Sequence, residues 1–322
     1  MKRFKNILLL ADQGTDSNAI LRRAAALAKN NRARLTVVGV IEELPRDMQK
    51  LIVVITPMEL QKSVTQERQK QLERLVAPIR KEGLRVGVNV LGGTPFLEII
   101  RQVLRQKHDL VILAAEGRSR LKGRLFGSTS LHLMRKCPCP VWVVKPTRRE
   151  RFRRILAAVD PMFDEEEKNL LNIKIMDLAT SLAKMEKSEL HIVHAWNFRG
   201  EQLLRVRGRL HDQKINQLTN QTRAIHKKGF DELIGKYPVK NLNHRLHFLK
   251  GDAAVRITDL AAKERIDLIV MGTVCRTGVA GFFIGNTAEK VLQQVECSVL
   301  SVKPDGFVSP VELKAAQIPE MP

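Results

Sequence analysis

The chain of 322 residues is an internal duplication, and this feature constrains its fold more than any other. The segment from His108 to Pro146 aligns without a gap on the segment from Ile266 to Pro304. The interval is 158 positions, as the pair Gly127 and Gly285 shows (285 − 127). Near the two starts, the sequence ILLLAD corresponds to ILAAVD at an interval of 148. The chain therefore predicts two copies of one domain rather than a single large one.

Each copy alternates short apolar runs with longer segments of helical periodicity. Runs without strict polar alternation are typical of parallel strands that are buried on both faces. In the first copy we predict strands at 5–11, 35–41, 84–91, 110–115 and 141–145, and helices at 17–29, 58–81 and 95–106. In the second copy we predict strands near 154–159, 189–195, 242–249, 266–272 and 298–303, and a long helix covering part of 200–235. This order predicts parallel βαβ units with right-handed crossovers.

The domain bounds follow from the repeat. We predict a first domain over residues 1–146, a short basic linker over 147–153, a second domain over 154–304 and a tail over 305–322. A linker this short predicts that the two halves lie close together. The apolar segment 51–55 has two interpretations: it covers the edge of a domain, or it lines a pocket for an apolar ligand.

A glycine-bearing loop follows the fourth strand of each copy. In the second copy Gly272, Gly278, Gly281 and Gly285 precede a helix, and Asn286 stands three residues before Glu289, which is the spacing of a capping box. Glycines let backbone N–H groups approach a phosphate, and the helix N-terminus adds positive potential. The same loop architecture also occurs in proteins that bind nothing there.

These residues carry a family resemblance. A Gly-x2-Gly-x9-Gly-(Ser/Thr) pattern after a fourth strand, with an Asp closing the first strand, resembles the universal stress protein family, most closely its tandem E-type members. The resemblance implies an α/β fold of two tandem Rossmann-like domains, of the adenine nucleotide alpha hydrolase type. Each domain would be a five-stranded parallel sheet, ordered 3-2-1-4-5, with helices on both faces. It also implies a cytoplasmic stress-survival protein linked to resistance to DNA damage.

The resemblance further implies a ligand, an adenine nucleotide such as ATP, at the crevice between the first and fourth strands. In the first copy the matching positions are Asp12, Val40, Ala114, Gly117, Gly127 and Ser128. Ala114 departs from the pattern, because the family has a glycine there. Asp12 has an equally good alternative role as a cap for the following helix.

The second copy departs further from the pattern. Its matching positions are Asp160, Gly272, Gly285 and Asn286. Cys275 stands where the second glycine belongs, and Asn286 replaces the Ser or Thr. Asp160 is followed by a longer acidic segment that would repel a triphosphate. The first copy is therefore the better nucleotide candidate.

Catalysis is not expected. The sequence has no phosphate-loop lysine motif and no nucleophile elbow, although slow hydrolysis of a bound nucleotide stays open. His191 and His194 lie three apart on a strand, as do His244 and His247, so each pair points to opposite faces and forms no metal site. We expect no metal beyond Mg²⁺ carried by a nucleotide. Cys137 and Cys139 lack zinc-ligand spacing and are interpreted as reduced thiols.

The formal net charge of +21 at pH 7 is the feature that the resemblance does not explain. It is compatible with a nucleic-acid-associated protein or with a solvated cationic surface. Aromatic residues make up only 4%, which argues against base stacking, so we expect weak, non-specific nucleic-acid binding at most. No apolar stretch reaches membrane-spanning length. The apolar fifth strands predict an intramolecular pseudo-dimer of the two copies, and a homodimer remains open.

Overall fold

A computed structural model describes residues 4–11, 17–42, 56–115, 126–145, 151–161, 166–198, 200–206, 211–273 and 284–313. These residues form two compact units. The first unit contains residues 4–145 and 307–313, and the second contains 151–273 and 284–306, each with the gaps just given.

The first unit is built on a five-stranded sheet. Its strands are β1 (Asn6–Leu10), β2 (Arg34–Ile41), β3 (Val86–Gly92), β4 (Leu110–Ala114) and β5 (Val141–Val144). They pair in parallel in the order β3-β2-β1-β4-β5. The helices are α1 (Ser17–Asn31), α2 (Pro57–Lys81), α3 (Pro95–Gln106) and α4 (Ser128–Lys136).

The second unit repeats this plan. Its strands are β6 (Arg154–Ala158), β7 (Glu189–Trp196), β8 (His244–Lys250), β9 (Leu268–Gly272) and β10 (Ser298–Val302). They pair in parallel in the order β8-β7-β6-β9-β10. Its helices are α5 (Glu166–Glu186), α6 (Glu201–Val206), α7 (Asp212–Gly235), α8 (Ala253–Lys263) and α9 (Asn286–Gln294), with a 3₁₀ turn at Val239–Asn241.

The central strands are buried on both faces, as their unbroken apolar runs predicted. Ile7, Leu8 and Leu9 of β1 are almost fully buried, and so are Val111 and Ile112 of β4. The predicted fold class, strand positions and strand order are confirmed. Because β1 and β4 are neighbours in the first unit, the crossovers leave to opposite sides there and open a crevice at the carboxyl ends of both strands.

One local prediction is wrong. The helix α9 begins at Asn286, but its N-cap is Gly285, and no side chain caps the helix by a hydrogen bond. The amide of Glu289 donates to the carbonyl of Gly285 at 2.9 Å, so Asn286 already lies inside the first turn. The spacing of a capping box was present, but the chain enters the helix one residue earlier than that motif requires.

Residues 307–313 of the tail belong to the first unit and form no helix or strand. Arg101 of α3 donates through Nε to the carbonyl of Glu312 at 3.3 Å. Its guanidinium also forms an ion pair with Glu98 in which both side chains are largely buried. The tail is therefore held against α3.

Candidate functional site

A cavity of about 400 Å³ lies at the carboxyl ends of β1, β2 and β4 in the first unit. Its walls come from strand ends and from the N-termini of two helices. The lining residues are Leu10, Val40, Ile41, Glu42, Pro95, Leu113, Ala114, Ser128, Thr129 and Ser130. The cavity occupies the switch point of the sheet, where ligands of open α/β sheets bind.

The strand side of this cavity is apolar. Leu10 and Leu113 are buried, and Val40 is half-buried at the end of β2. Ala114, at the end of β4, also lines the cavity. These side chains offer a flat, apolar ring such as a nucleobase a surface to pack on.

The helix side of the cavity is polar. The helix α4 starts after Gly127, which provides no side-chain cap, and its first turn holds no acidic residue. The first backbone bond into the helix is from the Leu131 amide to the Gly127 carbonyl at 3.1 Å. The amides of Ser128, Thr129 and Ser130 precede that bond and so have no acceptor within the helix. This N-terminus is therefore suited to an anion.

A stacked pair of rings joins the two helices that reach the cavity. Phe96 of α3 and His132 of α4 have ring centroids 4.2 Å apart with an interplanar angle of 18°. Lys136 lies over the same Phe96 ring at 4.9 Å. Burial, followed by the nearby Lys136 and Arg135, lowers the pKa of His132, so the imidazole is neutral at pH 7. The stack holds the α3 and α4 N-termini at a set spacing.

Sequence reasoning missed one residue that lines the cavity and one that binds the end of β1. Glu42 follows β2 and lines the cavity with an exposed carboxylate. The sequence could have indicated Glu42 as a site residue, because it comes directly after a buried strand, as Asp12 does. Arg68 of α2 is 8% exposed and donates through Nη2 to the carbonyl of Ala11 at 2.5 Å, immediately before Asp12. No sequence signal distinguishes Arg68 from the other cations of its helix.

Asp12 and Gly117 lie outside the described residues, as do Cys275 and the apolar segment 51–55. The structure brings together four of the predicted positions of the first copy, namely Val40, Ala114, Gly127 and Ser128. Three of these line the cavity, and Gly127 is the residue from which α4 starts.

The second unit uses its corresponding residues differently. A Cβ atom on Gly272 would lie 2.8 Å from Cδ2 of Leu171, so this glycine allows α5 to pack closely on β9. The amide of Gly285 donates to the Thr273 carbonyl at 3.1 Å. Asn286 is exposed at the start of α9. The space beside Gly272 is therefore filled by Leu171, and the Gly285 amide is bonded within the protein. Neither is available to a phosphate group.

Asp160, at the end of β6, has its amide bonded to Oδ1 of Asn172 at 2.8 Å. Its carboxylate lies 3.8 Å from Nδ1 of His194. His194 is completely buried, and this burial lowers its pKa to about 4, so the contact at pH 7 joins a carboxylate to a neutral imidazole. His191, on the opposite face of β7, is also completely buried.

The two close thiols of the first unit are part of its core. The sulfur atoms of Cys137 and Cys139 are 3.6 Å apart and buried. The contact with Cys137, together with burial, raises the pKa of Cys139 well above its usual range. The Cys139 thiol is therefore a poor nucleophile at neutral pH.

None of the helices in the described ranges combines the length and the apolar character that spanning a membrane requires. Nowhere in the same ranges do three or more His, Cys, Asp or Glu side chains come together in a way that could hold a metal ion.

Comparison with known proteins accounts for both halves of the chain. The model of the universal stress protein family matches residues 3–145 and again residues 151–303. Universal stress protein E of Escherichia coli strain K12 is 29% identical over 315 residues, which cover 97% of this chain and 98% of that protein. A universal stress protein E homologue of Haemophilus influenzae is 23% identical over 308 residues, covering 94% and 98%.

Solved structures agree with this assignment. A functionally unknown protein from Pseudomonas aeruginosa PAO1 superposes with a TM-score of 0.68 at 25% identity, covering 95% of both chains. A universal stress protein from Archaeoglobus fulgidus shares the fold with a TM-score of 0.61 at 19% identity, covering 92% of this chain and 98% of that chain. With two matches to one family model over nearly its whole length, the chain belongs to the universal stress protein family.

Proposed function

We propose that this protein is a non-enzymatic stress-response protein that binds an adenine nucleotide, such as ATP, in the cavity of its first unit. The observation that carries the proposal is the cavity itself, which joins an apolar strand side to the uncapped N-terminus of α4. A nucleotide has the matching polarity, with an apolar ring at one end and an anion at the other. A volume of about 400 Å³ is within the range of small-molecule sites.

The polarity of the walls also supports an orientation. The base packs near Val40, and the phosphates lie at Ser128 and the amides that follow it. Glu42 repels phosphate from the β2 end and accepts hydrogen bonds from the ribose hydroxyls. We predict that Asp12 contacts the nucleoside and that Gly117 contributes a phosphate donor, as the resemblance to the family implies.

We assign no nucleotide to the second unit. There the Leu171 side chain occupies the space beside Gly272, and the amide of Gly285 donates its hydrogen bond to the Thr273 carbonyl. Turnover is absent or very slow in this proposal, because no described residue at the first cavity orients water against a terminal phosphate. Mg²⁺ would enter only with the nucleotide.

The cellular part of the proposal rests on the family. It comprises a cytoplasmic location, survival under stress such as DNA damage, and docking of the two copies through their fifth strands, with a homodimer open. Cleavage within residues 147–152 tests the docking, because fragments with open apolar edge strands should aggregate or reassociate. Two stable, monomeric fragments would contradict it.

Titration calorimetry with ATP tests the site. We expect binding by the parent protein and loss of at least tenfold in affinity for Asp12→Ala and for Ala114→Leu, which fills the cavity. Asp160→Ala is the matched control, since it removes the corresponding carboxylate of the second unit and should leave the affinity unchanged. The absence of heat at millimolar ATP, or equal effects of Asp12→Ala and Asp160→Ala, would overturn the proposal.

The net charge of +21 favours a second candidate, a nucleic-acid-associated protein. In that case DNA affinity should fall steeply with salt, because phosphate contacts release counterions. We expect weak, non-specific binding that disappears at physiological salt. A ligand more apolar than a nucleotide is the remaining alternative, and it would be indicated if Ala114→Leu abolished binding of an apolar probe such as a fatty acid while ATP gave no heat.

A further inference from the structure

In each unit a side chain contacts the backbone carbonyl that follows the first strand, β1 or β6. The side chains that do so differ between the two units. The amide of Ala11 donates to the carbonyl of Val38, and the amide of Val159 donates to the carbonyl of Val193. Gly39 in β2 therefore corresponds to His194 in β7. Arg68 of α2 and His226 of α7 also occupy equivalent positions. They are 158 positions apart (226 − 68), the same interval that separates the starts of β3 and β8 (244 − 86).

In the first unit the pair consists of Gly39 and Arg68. A Cβ atom on Gly39 would lie 2.9 Å from Nε of Arg68, so the glycine makes room for the guanidinium. Arg68 then donates to the Ala11 carbonyl and, through Nη1, to Oε1 of Gln71 at 3.2 Å. An arginine keeps its charge at every physiological pH. This hold on the end of β1 is therefore insensitive to acid.

In the second unit the pair consists of two imidazoles. Nδ1 of His194 lies 3.2 Å from the Val159 carbonyl, and Nε2 of His194 lies 2.9 Å from Nδ1 of His226. Both contacts are satisfied when His226 donates to Nε2 of His194 and His194 donates to Val159. One added proton places a buried positive charge on the pair. A second proton makes both facing nitrogens donors and breaks their contact.

A second imidazole pair lies on the opposite face of β7. Nδ1 of His191 is 3.0 Å from Nε2 of His247, and the two rings stack at 5.2 Å. The register of the strands places Thr36 and Asn89 of the first unit at these two positions. The four histidines of these two pairs thus correspond to residues that do not titrate near neutral pH.

The surroundings of the first pair favour neutral imidazoles. His194 packs against Phe230 and Phe248, with ring centroids 5.9 Å away in each case, and His226 lies 6.4 Å from Trp196. The charged groups nearest to this pair are Asp160 at the end of β6, Lys250 over Trp196, and Glu201, which pairs with Lys250. On α7 the neighbouring Arg223, Lys227 and Lys228 are exposed, and α5 contributes the neutral Asn172.

The second pair faces more charge. Oε2 of Glu189 lies 3.5 Å from Nε2 of His191, and Arg245 and Arg154 pair with the same carboxylate. Glu264 and Lys263 lie at the end of α8, on this side. Burial is nevertheless the largest influence, and it lowers the pKa of His191, His226 and His247 as it does that of His194.

We propose that the second unit is an acid-responsive unit: protonation of the His194–His226 and His191–His247 pairs loosens α7 and β8 from β7 and releases the strand end that carries Asp160. In the first unit the end of β1 keeps its contact under the same conditions, because Arg68 binds the Ala11 carbonyl and stays charged. Burial also lowers the pKa of His108 and His132 in the first unit, but these residues lie just before β4 and on α4, so the prediction for the first unit concerns α2 and the end of β1. The acid response of the second unit does not depend on the ligand assigned to the first.

Hydrogen exchange of the full chain at pH 7 and pH 5, corrected for the intrinsic exchange rate, tests the proposal without any variant. We expect protection of 212–235 (α7) to fall at least tenfold at pH 5, while protection of 57–81 (α2) changes less than twofold. Equal responses of α2 and α7, or no response of either, would overturn it.

Transplanting the residues between the units supplies the matched variants. His194→Gly with His226→Arg gives the second unit the pair of the first and should remove most of the acid response of α7. Gly39→His with Arg68→His should make α2 acid-sensitive. If the first double variant does not fold, His226→Gln serves instead, since its amide can still donate to His194 but takes up no proton. A folded variant that loses α7 protection at pH 5 as the parent does would contradict the assignment.

Discussion

Gly39 lies directly against the side chain of Arg68. Only a residue without a Cβ atom leaves space there for the guanidinium group that binds the Ala11 carbonyl. An alanine at position 39 would meet Nε at 2.9 Å and Cδ1 of Leu72 at 3.1 Å. The conformation of Gly39 does not require glycine, so packing alone explains its presence.

Gly39→Ala should therefore destabilise the first unit by about 1–3 kcal/mol, the usual range for overpacking a buried site. Urea unfolding followed by fluorescence of Trp142 in a Trp196→Phe background measures it. Gly87→Ala on β3 is the control, because its Cβ would meet nothing closer than 3.7 Å. Equal effects of the two alanines would show that the close contact with Arg68 is not the cause.

The stability of the second unit should fall as the pH drops from 6.5 to about 4. His194 titrates near 6.5 in the unfolded chain and at about 4 in the folded one, so the unfolded chain takes up its proton first. The stabilisation present above pH 6.5 is lost over that window, at a cost of up to about 3 kcal/mol for this residue.

Fluorescence of Trp196 in a Trp142→Phe background reports on this unit alone, because Trp142 lies in the first. His211→Gln is the control, since His211 is exposed next to the start of α7. The His191–His247 pair remains in His194→Gly with His226→Arg, so a smaller pH dependence should persist there. A pH dependence as large as that of the parent would assign the loss to other groups.

Gly272→Ala should destabilise the second unit without changing ATP affinity. The added Cβ would lie 2.8 Å from Leu171, and the side chain of Leu171 lies between β9 and α5. Leu171→Ala should partly restore the stability of Gly272→Ala, and a double-mutant cycle measures this coupling. If the two changes were additive, the glycine would serve something other than helix packing.

Thr56→Ala should destabilise α2 by about 1 kcal/mol, since Thr56 is an N-cap whose hydroxyl accepts from the Glu59 amide at 3.3 Å. The Glu59 carboxylate completes the capping box, and its hydrogen bonds to Thr56 lower the pKa of Glu59. Thr94→Ala is the matched control, because Thr94 is the N-cap of α3 but makes no side-chain cap bond. Thermal unfolding that ranks Thr94→Ala as the more damaging change would contradict this assignment.

The sequence by itself determined the duplication and the strand positions. Apolar runs such as Ile7–Leu10 and Leu110–Leu113 are typical of strands buried on both faces, and their alternation with helices favours parallel pairing. The strand order, and with it the place of Val40, Ala114 and Ser128 at one crevice, came from the resemblance to the family. Local pattern was thus sufficient wherever periodicity and chain order set the answer.

Only the tertiary structure decided what the individual polar residues do. Gly39, Gly127 and Gly272 look alike in sequence, yet the first makes room for Arg68, the second starts α4 and the third admits Leu171. The pairing of His194 with His226 joins residues 32 positions apart, and no local pattern encodes such a contact. These roles depend on distances of a few tenths of an ångström between side chains from different elements, which sequence periodicity does not specify.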